Sequence, residues 1–121
     1  MILLVEDHAQ LGPAMRLILK AAGHEVILVA SGEQAVEFLN AHEPPALVLL
    51  DADLPGISGL DVLRYIRARP VMSEIPVIVD TAIPTPELRA EIAARGATLI
   101  VKGSREFSDF AGAVARRLAP G

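Results

Sequence analysis

The sequence predicts an α/β fold in which five βα units form one parallel sheet with helices on both faces. Five short runs of Ile, Val and Leu do not alternate with polar residues, and such runs are typical of strands buried on both faces. The stretches between them have apolar residues at helical spacing. Right-handed crossovers turn this alternation into an open, doubly wound, three-layer sheet. The predicted strands are residues 2–5, 26–29, 47–50, 77–79 and 98–101.

Four of the five predicted helices have apolar residues three or four positions apart, and capping residues support several of the boundaries. Pro13 is placed in the first turn of the first helix, because a proline deeper inside costs about 3 kcal/mol. The apolar positions are, in order, Leu11, Met15, Ile18 and Ala22; Ala35, Phe38 and Leu39; Leu60, Leu63 and Ile66; and Val114 and Leu118. The capping residues are Ser31 with Gln34, Thr85 with Pro86, Gly23 and Gly96.

The composition excludes several classes of protein. With 121 residues, 52% of them hydrophobic and 21% charged, the chain is too apolar for disorder and long enough for a single domain over residues 1–121. Without cysteine it has no disulfide, thiolate zinc site or cysteine nucleophile. The net charge of −4 argues against nucleic-acid binding. No apolar run approaches the roughly 18–20 residues of a membrane-spanning helix, and no basic leader precedes Glu6, so we expect a cytoplasmic protein.

Polar residues follow the predicted strands, at the edge where ligands of such sheets bind. Carboxylates that converge there need a cation to neutralise them, and their hard oxygens suit Mg²⁺ better than Ca²⁺. A lysine and a hydroxyl beside them favour phosphoryl transfer with a carboxylate as nucleophile. Asp51 is predicted to be that nucleophile, and Glu6 and Asp7 are predicted to hold the metal. The strand-end residues are Glu6, Asp7, Asp51, Asp80, Thr81 and Lys102.

Four groups of residues stand in a characteristic order: Glu6-Asp7, Asp51-Ala52-Asp53-Leu54-Pro55 with Gly59, Thr81-Ala82, and Lys102. This order and spacing resemble those of response-regulator receiver domains over essentially the whole chain. The resemblance implies a flavodoxin-like sheet with strand order 2-1-3-4-5. It also implies a signalling module of a two-component phosphorelay rather than an enzyme. Its partners would be a sensor histidine kinase or a phosphotransfer protein, and a downstream protein.

The resemblance further implies a role for each of these residues. Asp51 would accept the phosphoryl group from a phosphohistidine and would also contact the metal. Mg²⁺ would be bound by Asp7, with Glu6 behind it through water, and by the backbone carbonyl of Asp53. The Thr81 hydroxyl would move toward the phosphoryl group, and Lys102 would pair with that group.

The signalling surface implied by the resemblance is made by the fourth helix, the fifth strand and the fifth helix, roughly residues 85–118. This surface would change shape on phosphorylation and is also a possible homodimer interface. The chain is expected to be a receiver without an attached output domain within these 121 residues, ending at Ala119-Pro120-Gly121.

Three residues depart from the usual receiver pattern. Gly103 follows Lys102 where receivers have a proline after a cis peptide bond. Because a cis bond without proline costs about 2.5–4 kcal/mol, we expect a trans bond or a more mobile loop here. Leu99 replaces an aromatic residue that moves with the switch hydroxyl. Asp80 replaces an apolar residue and, since an unpaired buried carboxylate is costly, should face the rim or find a donor.

Two other functions remain open from the sequence. The chain could be a receiver-like module that binds proteins without being phosphorylated, an alternative motivated by Leu99 and Gly103. It could also be a phosphatase of the haloacid-dehalogenase type, because Asp51-Ala52-Asp53 follows an apolar strand as that family's D-x-D motif does. That family needs a later acidic pair on a strand, whereas only Glu106 and Asp109 follow Lys102, in or near the last predicted helix.

Overall fold

A computed structural model describes residues 1–119, and these residues form a three-layer sandwich around a five-stranded parallel sheet. The strand order is β2-β1-β3-β4-β5, which confirms the predicted fold class and order. The strands are β1 (Ile2–Val5), β2 (Val26–Val29), β3 (Leu47–Asp51), β4 (Val77–Thr81) and β5 (Thr98–Val101). Of the predicted C-terminal segment, Pro120 and Gly121 lie outside the described residues.

The helices alternate with the strands as predicted, and two of them begin at the predicted caps. The Ser31 side chain accepts a hydrogen bond from the Gln34 amide, and the Thr85 side chain caps the fourth helix in the same way. Pro13 lies in the first turn of the first helix, as expected. Over residues 1–119 the helices are α1 (Leu11–Ala21), α2 (Gly32–Ala41), α3 (Gly59–Ala68), α4 (Pro86–Ala94), α5 (Arg105–Ser108) and α6 (Phe110–Leu118).

The sheet is covered on both faces, which is why its strands are continuously apolar. On one face, Leu3 and Val5 of β1 pack in a core with α2, α3 and α4. On the other face, Ile2 and Leu4 pack in a second core with α1 and α6. Burying a Leu or Val side chain contributes roughly 1.5–3 kcal/mol, so both faces hold the sheet in place. The charged residues at the strand ends therefore stand on a rigid base.

Two boundaries differ from the prediction. Strands β3 and β4 extend to Asp51 and Thr81, because the ladder hydrogen bonds between neighbouring strands continue past the apolar runs. The single helix expected at the end of the chain is two helices, α5 and α6, which meet at Asp109. Asp109 has φ −107° and ψ 37°, outside the helical region, and aspartate is a poor residue for a helix interior.

In the part of the chain that the structure describes, no helix has both the length and the apolar character required to cross a bilayer.

Candidate functional site

The strand register brings four charged side chains to the carboxyl edge of the sheet, on the face covered by α1 and α6. Asp51 at the end of β3 is paired in register with Asp80 of β4. Glu6 stands two positions after Leu4, which belongs to the core on that face, and side chains along a strand repeat every two residues. Lys102 follows β5, and its backbone amide continues the pairing with β4. The topology therefore brings residues that are distant in sequence to one place.

The ammonium of Lys102 lies among three carboxylates. Its Nζ is 3.3 Å from Glu6 Oε1, 3.3 Å from Asp51 Oδ2 and 3.5 Å from Asp80 Oδ1. The three acidic residues are almost completely buried, with exposed fractions of 3%, 2% and 1% respectively. One carboxylate oxygen from each lies within 4.8 Å of the others. When all four groups are ionised, one positive charge faces three negative charges in a region with little access to water.

Neighbouring backbone amides orient two of these carboxylates. The Asp53 amide donates to Asp51 Oδ1 at 2.8 Å, and the His8 amide donates to Glu6 Oε2 at 3.2 Å. By contrast, Glu6 Oε1 and Asp80 Oδ1 are buried and accept no hydrogen bond within the described residues. Their distances to Lys102 exceed the roughly 2.7–3.2 Å of an N–H···O bond, so these are charge contacts without hydrogen-bond geometry. Each of the two oxygens is available to a cation.

Burial and crowding shift the acidities of the cluster. Burial, followed by the close approach of the Asp51 carboxylate, raises the pKa of Glu6 from 4.5 to about 7. Burial also raises the pKa of Asp80 from 3.8 to about 7, although the charge of Lys102 opposes this. For Lys102 itself burial disfavours the charged form, but the three carboxylates outweigh it and its pKa is raised. The lysine therefore stays protonated, and without a further cation Glu6 and Asp80 retain protons more readily than ordinary carboxylates.

The chemistry of this donor set fits a small, hard dication. All its ligand atoms are carboxylate oxygens, and two of them are buried without a hydrogen-bond partner. Mg²⁺ prefers oxygen ligands and needs only one or two carboxylates besides water and phosphate. A dication at this position would neutralise charge that Lys102 alone leaves uncompensated.

Thr81 and Asp53 form a second contact beside the cluster. The Thr81 hydroxyl donates to the Asp53 carboxylate, with Oγ1 3.1 Å from Oδ2, and the Ala82 amide donates to the same oxygen at 3.2 Å. Thr81 is fully buried, whereas Asp53 is exposed. The Ile83 amide in turn donates to Thr81 Oγ1 at 3.1 Å. These bonds join the loop after β3 to the loop after β4.

The predicted site residues thus divide into those that the fold brings together and those that it does not. Glu6, Asp51 and Lys102 lie together, and Asp53 holds Asp51 through its amide. Within residues 1–119, Asp7 is exposed and lies outside the three-carboxylate group. Thr81 contacts Asp53 but has no hydrogen bond to Asp51 in this structure.

Asp80 is the cluster member that was predicted to stand at the strand ends but was given no role in the site. The expectation that it would find a donor or face the rim is only partly met: it is buried and reaches a cation, Lys102, at 3.5 Å. The sequence did contain one indication of this position. Asp80 comes two residues after Ile78, and Ile78 belongs to the core on the face covered by α1 and α6. The Lys102–Gly103 bond is trans, as predicted, and Gly103 has a φ of +82°, in the left-handed region that favours glycine.

Comparison with known proteins identifies the family to which this chain belongs. Residues 2–110 match the family described as "Response regulator receiver domain". The transcriptional regulatory protein BaeR of Escherichia coli O6:H1 is 40% identical over 81 residues, which are 67% of this chain and 32% of BaeR. The matched part of the chain therefore spans about a third of the length of that relative.

Solved structures agree with the sequence match. The receiver domain of the sensor histidine kinase PA1611 from Pseudomonas aeruginosa PAO1, determined with a magnesium ion coordinated in its active site cleft, has a TM-score of 0.82 and 28% identity, covering 97% of this chain and 95% of that one. The response regulator TrrA from Thermotoga maritima, in complex with Mg(2+)-BeF, has a TM-score of 0.79 and 28% identity, covering 97% of both chains. Since the family match extends over most of the sequence and the fold is shared, the chain belongs to the response regulator receiver domain family.

Proposed function

We propose that residues 1–121 form a phosphoacceptor receiver domain of a two-component phosphorelay, with Asp51 as the residue that is phosphorylated. The phosphoryl group would come from a phosphohistidine of a sensor histidine kinase or a phosphotransfer protein. The observation that carries this proposal is the position of the Asp51 carboxylate, which lies between the Asp53 amide and the Lys102 ammonium at the carboxyl edge of the sheet.

The chain's own groups support each part of the transfer. One oxygen of Asp51 forms a bond to phosphorus while the phosphorus–nitrogen bond of the phosphohistidine breaks, and the electron pair leaves with the imidazole. The Asp53 amide holds Oδ1, so Oδ2 remains on the side of Lys102. The ammonium offsets negative charge that accumulates on the phosphoryl oxygens.

Magnesium is the proposed cofactor. The buried carboxylates that would hold it are Glu6 and Asp51. The family resemblance adds Asp7, which is exposed at the same edge, and the backbone carbonyl of Asp53. When bound, the ion supplies positive charge for the phosphoryl oxygens. The fit rests on the buried carboxylate oxygens that have no hydrogen-bond partner.

The signal would leave the site through Thr81. Its hydroxyl would exchange Asp53 for a phosphoryl oxygen, and the surface of α4, β5, α5 and α6 would rearrange and bind a downstream protein or a second copy of the chain. The acidic net charge of −4 favours a protein partner over direct nucleic-acid binding. A cytoplasmic location is proposed because the relatives that this chain resembles are response regulators. The phosphatase alternative is not proposed, because the chain belongs to the receiver family.

Intact-mass measurement tests this function. The protein is incubated with Mg²⁺ and acetyl phosphate, and an adduct of one PO₃ unit is expected. Asp51→Asn should abolish the adduct, whereas Glu74→Gln, an exposed acidic residue before β4, should retain it. If the wild-type protein forms no adduct under these conditions, the protein-binding module that is not phosphorylated becomes the better interpretation.

A further inference from the structure

Asp80 is a buried charged residue that the proposed phosphotransfer does not use. Asp80 of β4 is the register partner of Asp51, the proposed phosphoacceptor, and the exposed fraction of Asp80 is 1%. Its Oδ1 accepts no hydrogen bond in the described residues and lies 3.5 Å from Lys102 Nζ. A buried carboxylate without a hydrogen bond is costly. The position therefore calls for an explanation beyond packing.

The charge of the site depends on this residue. With Glu6, Asp51 and Asp80 all ionised, the ammonium of Lys102 leaves two negative charges uncompensated. A bound dication brings that cluster to neutrality. If Asp80 were neutral, the same dication would leave one net positive charge. The carboxylate of Asp80 thus strengthens the attraction for a cation and removes the excess positive charge that would attract an anionic phosphoryl group.

Asp80 also competes for the positive charge of Lys102. Nζ already lies within 3.5 Å of one oxygen from each of three carboxylates. A phosphoryl group that pairs with Lys102 draws the ammonium toward itself and weakens these contacts. If Asp80 loses this contact, its Oδ1 is left buried with neither a hydrogen bond nor an adjacent ammonium. Asp80 therefore stabilises the position that Lys102 has in the unphosphorylated chain, relative to a position in which Lys102 pairs with a phosphoryl oxygen.

We propose that Asp80 is a specificity-determining residue of this site, which strengthens binding of the divalent cation and weakens retention of the phosphoryl group. The effect on the phosphoryl group rests on the proposed function, whereas the effect on the cation rests on the carboxylate geometry alone. The Asp80 side chain would thus have opposite effects on the affinities for the cation and for the phosphoryl group. A merely structural role would change both in the same direction.

Equilibrium binding to the full chain tests the proposal with two probes. The first is Mg²⁺ alone, titrated while backbone chemical shifts are followed. The second is beryllofluoride, an anion that mimics a phosphoryl group on a carboxylate, titrated at saturating Mg²⁺. We expect Asp80→Asn to weaken Mg²⁺ binding about tenfold, within the range found when a supporting residue of a metal site is lost. It should tighten beryllofluoride binding by a similar factor, about 1.4 kcal/mol.

Matched variants make the outcome decisive. Glu74→Gln removes one negative charge at the opposite end of β4 and should change neither affinity. Asp80→Val, which places an apolar side chain at the same position, should act as Asp80→Asn does, and thermal unfolding checks that both variants fold. Weaker binding of both ligands, or an unchanged Mg²⁺ affinity, overturns the proposal.

A different result would show that the proposed function itself is wrong. If the wild-type chain forms no acetyl-phosphate adduct and binds no beryllofluoride, phosphorylation at Asp51 is wrong. The Mg²⁺ titration of Asp80→Asn still decides the first half of the inference. A tenfold loss supports Asp80 as a residue of the cation site, and equal affinities for wild type and variant exclude it.

Discussion

At the scale of single residues, Glu6 and Asp80 link folding to pH. Burial is the main cause that raises the pKa of each to about 7, from 4.5 for Glu6 and 3.8 for Asp80. Between about pH 4 and pH 7 the folded chain therefore binds more protons than the unfolded chain, and the free energy of unfolding falls as the pH rises through that window. Asp51 and Lys102 face both groups, and the raised pKa of Lys102 keeps it charged throughout.

We predict that the metal-free protein loses stability on the order of 2–4 kcal/mol between about pH 4 and pH 7, because the folded chain releases two buried protons at a higher pH than the unfolded chain does. Urea unfolding in the presence of a chelator at a series of pH values measures this loss. Asp80→Asn should reduce the slope, whereas Glu74→Gln should leave it unchanged. A free energy of unfolding that is constant, or that rises, across this window would contradict the prediction.

The sequence predicted part of this site, and single residues show why it could not predict the rest. Glu6, Asp51 and Lys102 were expected to meet because the carboxyl ends of parallel strands share an edge. The side of the sheet to which a residue points depends on where its strand ends, and the predicted strand stopped at residue 79. Asp80 was therefore expected only to face the rim or find a donor, and its burial beside Asp51 was not predicted. Consecutive residues such as Glu6 and Asp7 point to opposite sides of an extended chain, and only the fold shows that Glu6 is the inner one.

At the scale of elements, the loops after β3 and β4 are joined through Asp53. Its exposed carboxylate accepts hydrogen bonds from the Thr81 hydroxyl and the Ala82 amide. The connection involves the residue that the proposed function needs to move, because the Thr81 hydroxyl at the end of β4 must leave Asp53 before it can reach a phosphoryl group on Asp51. The contact therefore opposes the proposed switch in the unphosphorylated chain.

We predict that Asp53→Ala loosens this connection without unfolding the protein. The expected loss of stability is about 1 kcal/mol, because solvent can partly replace the lost bonds. Hydrogen exchange at the Ala82 amide should become several-fold faster, since that donor loses its partner. Asp53→Asn retains a carbonyl acceptor at the same position and should give an intermediate rate. Equal exchange rates in all three proteins would show that the contact does not constrain the loop.

Element boundaries were less predictable than element types. The apolar runs located all the strands, but β3 and β4 continue to Asp51 and Thr81 through pairing with each other and with β5, and this pairing is not a local property of either run. At the end of the chain, apolar spacing did not reveal the interruption at Asp109, where α5 gives way to α6. Local periodicity indicates which face of a segment is buried, but it does not report a single residue that leaves the helical conformation.

At the scale of the whole molecule, the strand order determines which charged residues become neighbours. Because β1, β3 and β4 are adjacent in the order β2-β1-β3-β4-β5, their acidic end residues converge. Right-handed crossovers alone allow other orders of five parallel strands. The order was therefore predicted from the family resemblance and not from the residues. Since the cluster consists of residues from distant parts of the chain, it exists only in the folded state.

This dependence on folding predicts that divalent cations stabilise the whole domain. A ligand that binds only the folded state at a hundred times its Kd adds about 2.7 kcal/mol to the free energy of unfolding. We expect Mg²⁺ to raise the thermal midpoint, and to raise it more at pH 8 than at pH 6, because Mg²⁺ competes with the protons that Glu6 and Asp80 retain at the lower pH. Calorimetry with and without Mg²⁺, at ionic strength matched with potassium chloride, measures the shift. Glu6→Gln should lose most of it and Glu74→Gln none. An equal shift in both variants would mean that the ion acts elsewhere or only through general screening of the net negative charge.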